Sequence, residues 1–140
     1  MNIETKLSEL AARYLPDFSY TLGSMTEIDM QLDLKEPPFV WVVFPATGGI
    51  RFVNGHAKER LRAMVGFFDL TRRDANGGDN MSVYRRMETA AETFLNAVNT
   101  CGYFEPVTDA PANIYTEIGA ANVTGLILDV EFREMVGRCV

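Results

Sequence analysis

The chain has 140 residues, 47% of them apolar, with 13 basic and 19 acidic side chains and a net charge of −6. That is the length of one domain with a core of its own, in no need of metal or disulfide staples. No apolar run approaches the roughly 20 residues a membrane-crossing helix requires, and the net acidity argues against a dedicated DNA binder, which must neutralise many phosphates.

The charge is unevenly spread. Residues 51–86 carry eight basic and four acidic groups, a local +4, between acidic flanks of −4 (residues 1–50) and −6 (residues 87–140). A basic middle between acidic ends suits either a solvated face or a surface that meets acidic patches on a neighbour. The N-terminal MNIETKLSELAARYL mixes charges with apolar residues and lacks the apolar centre of a signal peptide, so a cytoplasmic protein is expected. Cys101 and Cys139 are then expected as reduced thiols.

In chain order, Ile3, Leu7, Leu10 and Tyr14 recur at helical spacing and predict a first amphipathic helix over residues 2–15, stopped by Pro16. Phe18, Tyr20 and Leu22 alternate with Ser19 and Thr21, a short strand. Residues 28–35 alternate likewise and are read as a strand, although their Asp, Gln and Lys content disfavours one. FVWVVF, Phe39 to Phe44, lacks alternation and reads as a strand covered on both faces, ended by Pro45 and Gly48-Gly49. A short strand, Ile50 to Val53, leads to Asn54-Gly55, a strong hairpin signal. The return strand, Lys58 to Thr71, starts with alternating Lys58, Arg60 and Arg62 and becomes apolar on both sides. It is expected to project a charged end beyond the sheet.

The longest helix is predicted over Asn80 to Gly102. Tyr84, Met87, Ala91, Phe94, Val98 and Cys101 fall on one face, widened by Leu95, with Asp79 or Asn80 as cap and Gly102 as left-handed stop. Tyr103 to Val107 and Ile114 to Ile118 are expected as short strands. In the last strand, Val123 to Met135, Leu126, Leu128, Val130 and Phe132 oppose Asp129, Glu131 and Arg133. Two helices cannot coat both faces of such a sheet. The predicted fold is a single α+β domain, residues 1–140: a two-layer sandwich of a mostly antiparallel sheet with both helices on one face, the other face left to water or to another copy.

The residues supply little catalytic chemistry. His56 is the sole histidine, placed at a hairpin tip, so His-based metal sites and nucleophile–histidine pairs have no second member. No nucleophile elbow, Walker loop or dinucleotide fingerprint is present. Thr47-Gly48-Gly49 reads as a turn. DANGGDN, with Asp74, Asn76 and Asp79, looks like the start of a calcium loop but lacks the liganding glutamate, so a mobile loop with a helix cap is the reading. Arg72, Arg73, Arg85 and Arg86 bracket it as a possible cationic patch. No catalytic residue, metal or cofactor is expected.

Three stretches, KERLRAMVGFFDLT, SVYRRMETAAETFLNAV and NVTGLILDVEFRE, in this order resemble the tail-terminator and tail-completion proteins of tailed bacteriophages and prophages. The resemblance implies a non-enzymatic protein that caps a tail tube, associates with itself into a ring, and contacts other tail or head-connector proteins. It implies neither membrane nor specific nucleic-acid binding, and a place in the host cytoplasm during assembly and then in the virion. Lys58, Arg60, Arg62, Arg72 and Arg73 would then meet an acidic patch on the next subunit, and Asp129 and Glu131 would face the channel. The competing reading is a small cytoplasmic binding or regulatory module that uses the basic 51–86 region on a protein or nucleic acid. Solution mass separates the two.

Overall fold

Asn2 caps the first helix, α1 (Ile3–Tyr14): its side-chain oxygen accepts the Thr5 N–H at 2.9 Å. Ile3, Leu7, Leu10 and Ala11 point inward along one stripe, and the chain leaves the helix at Leu15, ahead of Pro16. The computed structural model describes residues 2–24, 36–71, 77–118 and 122–135, with the backbone alone for 44–46 and 118. The strand expected over 28–35, together with Arg72, Arg73, Asp74, Asn76 and Cys139, lies outside the described residues.

Among the described residues five strands follow: β1 (Ser19–Gly23), β2 (Phe39–Val53), β3 (His56–Leu70), β4 (Ala112–Ile118) and β5 (Val123–Arg133), in the sheet order β1-β2-β3-β5-β4. All neighbours are antiparallel except β1 and β2. Between β3 and β4 runs the long helix α2 (Gly77–Thr100).

Both helices pack on one face of the sheet, so the α+β sandwich read from the sequence is the fold. The core between the layers joins Leu7 and Leu10 of α1 with Met87, Phe94 and Val98 of α2, over Val40 and Val42, Val65 and Phe67, and Leu128, Val130 and Phe132. Phe94 is fully buried and meets the ring of Phe67 edge-on at 5.9 Å. The stripe of α2 widens on a different flank from the one expected. Val83, Ala90 and Ala97 are buried, whereas Leu95 is only partly so.

α2 also begins a turn earlier than predicted, at Gly77, which places Asp79 inside the first turn rather than at the cap. A carboxylate there still faces the positive end of the helix dipole. Asn80 instead reaches β4, donating to Glu117 at 2.9 Å. At the other end Gly102 takes φ +80°, the left-handed stop the sequence suggested.

Two further expectations change. β2 does not break at Pro45: it is one strand whose register with β3 shifts between Val43 and Thr47, a bulge that accommodates a residue with no N–H to give the ladder. Tyr103 to Val107 is not a strand, and only Phe104 bridges Glu134. Pro106 interrupts the segment, and Asn99 of α2 takes over Val107, accepting its N–H at 2.7 Å and donating to its carbonyl at 3.1 Å.

The face away from α1 and α2, left to water or to another copy in the sequence reading, is partly covered by its own side chains, in keeping with a strand from Phe39 that is apolar on both faces. A second apolar cluster lies there, Phe39, Trp41, Val43, Phe68 and Val123, with Tyr115 and Ile127 packed against it. Trp41 stacks on Phe68 with ring centroids 4.6 Å apart. This explains why Phe39 to Val43 is apolar at every position: Val40 and Val42 serve the core under the helices, and Phe39, Trp41 and Val43 the second cluster. Gly125 sits beneath, in register with Phe68 on one side and Tyr115 on the other. A Cβ on Gly125 would lie 1.8 Å from the Phe67 carbonyl oxygen, so only glycine fits.

Candidate functional site

The hairpin of β2 and β3 outgrows the sheet. β1 pairs only with Phe39–Val43, and β5 leaves β3 at Arg60. Beyond that point the pairs Ile50↔Glu59, Arg51↔Lys58, Phe52↔Ala57 and Val53↔His56 form a two-stranded ribbon closed by Asn54-Gly55. Both turn residues have positive φ, +51° and +80°, the geometry that Asn-Gly supplies in a tight hairpin. His56 is exposed beside the turn.

One side of the ribbon is apolar. Gly48 lies opposite the core residue Leu61, so Ile50 and Phe52, two and four residues on, point to the helix side of the sheet. Neither helix packs over them: Ile50 is 69% exposed and Phe52 74%. They continue the core-facing row past the end of the core. The sequence reading missed them as candidates. Their alternation with Arg51 and Val53 ahead of Asn-Gly was visible, but not that β5 and the helices stop short of them.

The base of the ribbon is anchored. Arg51 donates to the Glu105 carboxylate at 2.7 Å and to the Glu134 carbonyl at 3.3 Å, with its side chain about two-thirds covered. The Glu134 carboxylate accepts the Glu59 N–H and, at 2.9 Å, the Tyr103 hydroxyl. Desolvation and that carboxylate together hold the Tyr103 phenol above its ordinary range. Such ties keep an otherwise bare hairpin in a fixed direction.

Lys58, Arg60 and Arg62 alternate along the opposite side of β3, as read from the sequence. Arg60 lies against Gly49, and neither it nor Lys58 makes an ion pair among the described residues. Arg62 is different. It grips Asp129 with two bonds, Nε to Oδ1 at 3.0 Å and Nη2 to Oδ2 at 2.7 Å. Glu131 lies opposite Arg62 in register and has Arg133 at 3.3 Å. The residues expected on two separate surfaces, Arg62 at an interface and Asp129 and Glu131 in a channel, therefore share one face. That face carries a mixed rather than an acidic field.

The bonds from Arg62 hold the Asp129 carboxyl below the usual carboxylate range. The sign follows: the pair stabilises the fold above the ordinary carboxylate range, and that contribution is lost as pH falls through the depressed value. Both side chains are well exposed, so the contribution is small. In an NMR pH titration, Arg62→Gln is expected to raise the Asp129 pKa into the ordinary range; an unchanged titration would contradict the pairing.

Among the described residues no group of three His, Cys, Asp or Glu side chains is placed to hold a metal ion, and no helix is long and apolar enough to cross a membrane. Cys101 is a half-covered free thiol bonded to the Val98 carbonyl. A scan against protein-family models finds no match, and a search of curated proteins finds no significant relative.

Proposed function

We propose that this chain is a structural protein that works by associating with copies of itself, in the manner of a phage or prophage tail terminator or head–tail joining protein. The observation that carries the reading is the ribbon: two large apolar side chains held in water at the tip of an anchored hairpin. Exposed Phe and Ile on a free ribbon invite association, and a chain gains from keeping them when a partner covers them. The order and periods of the sequence stretches that resemble tail-terminator proteins support the same reading, and so does the absence of any catalytic grouping in the sequence. The contact is expected to be heterologous, ribbon to a different surface on the next copy, which closes into a ring when the rotation allows.

Electron microscopy of the purified chain tests this. Closed rings with a central opening are expected at micromolar concentration and low salt. Single copies or dimers under every condition would contradict the reading and favour the binding module.

A further inference from the structure

We infer that copies join by stacking their ribbons face to back: the side of one ribbon that carries Ile50, Phe52 and Glu59 packs on the opposite side of the next copy's ribbon, against Lys58 and Arg60. This inference rests on the self-association reading and names both halves of its contact.

Residues 58 to 60 read Lys-Glu-Arg, and a strand sends alternate side chains to opposite faces. Glu59 lies opposite Ile50 in register, and Ala57 opposite Phe52, so the helix side of the ribbon sets two large apolar groups beside an acid. A second acid stands at its base, where the Glu134 carboxylate accepts the Glu59 N–H. Lys58 and Arg60 lie opposite Arg51 and Gly49, which makes the back of the ribbon basic. Arg51 has Glu105 as its partner. Among the described residues, Glu59 and Glu134 have no cation in ion-pair range, and Lys58 and Arg60 no carboxylate. Unlike charges on the two sides of one ribbon cannot reach each other within a chain. A second copy brings them together.

Charge also selects how that copy sits. Two helix-side faces brought together would set Glu59 against Glu59, and two backs would set Lys58 and Arg60 against their own kind. Only face to back pairs unlike charges, and the contact is therefore head to tail. The back suits an aromatic ring as well. Arg60 is exposed and lies close over Gly49, where a Cβ would come within 2.6 Å of its Nε. Its planar guanidinium is a platform on which Phe52, 74% exposed on the other face, can stack. Because α1 and α2 stand on the Phe52 side of the sheet, the second ribbon crosses the first instead of superposing on it. Each step is then a rotation, as a closing ring requires.

Reversing the charge of one side at a time tests the pairing. Glu59→Lys puts basic side chains on both sides of the ribbon, and the double variant Lys58→Glu, Arg60→Glu puts acidic ones there. Alone, each is expected to need about ten times the wild-type concentration to assemble at low salt. An equal mixture is expected to assemble as the wild type does, in particles of more than two copies, since every face then meets its opposite. A mixture that assembles no better than its components, or that stops at two copies, would overturn the face-to-back contact while leaving wild-type self-association standing. A wild type that is a single chain throughout would overturn both. With all charges native, Phe52→p-benzoylphenylalanine is expected on irradiation to join a second copy within residues 47–62. A product confined to one chain, or a partner peptide from elsewhere, would overturn the stacking.

Discussion

Phe94→Ala is expected to destabilise the fold by about 4 kcal/mol, the cost of emptying a fully buried aromatic site whose surroundings cannot close in. Phe94 stands midway along α2, with Phe67 of the central strand edge-on to its ring, so the cavity would open where helix and sheet layers meet. For a domain of this size the melting temperature should fall by roughly 15 °C. Leu95→Ala, one residue on but only partly buried, should cost about 1 kcal/mol. Equal losses at the two positions in a thermal or urea unfolding series would mean that the buried face of α2 has been misassigned.

That face was legible because a helix repeats. Tyr84, Met87, Ala91, Phe94 and Val98 return to one side every three or four residues, and the alternation from Leu126 to Phe132 declares its own face in the same way. Both patterns are local, and both survive in the fold. What was not legible depends on partners distant in sequence. Pro45 and Gly48-Gly49 look like an end to β2, yet the strand continues through a bulge because β3 supplies a neighbour along nearly its whole length. Tyr103 to Val107 has the composition of a strand, but Asn99 captures Val107 and Pro106 interrupts the segment. Gly125 looked like any residue of the last strand, and its necessity comes from the backbone of Phe67.

The candidate site divides in the same manner. Lys58, Arg60 and Arg62 could be placed on one side of a hairpin by their alternation. That Arg62 turns inward along the face to hold Asp129 depends on the register of β3 with β5, which no local pattern encodes. Ile50 and Phe52 read as ordinary strand residues. What sets them apart is that, among the described residues, β1, β5 and both helices stop short of the ribbon and leave the two side chains exposed.

On the proposed reading, Phe52 is held in water until another copy covers it. Sedimentation velocity on the wild type and on Phe52→Asp, at equal concentration, tests it most directly. Because the side chain is 74% exposed, the substitution should leave the melting temperature nearly unchanged. The wild type is expected to sediment as a multimer, and the variant as a single chain of 15.6 kDa. A variant that keeps the wild-type mass, or a wild type that is itself a single chain throughout, would contradict the account.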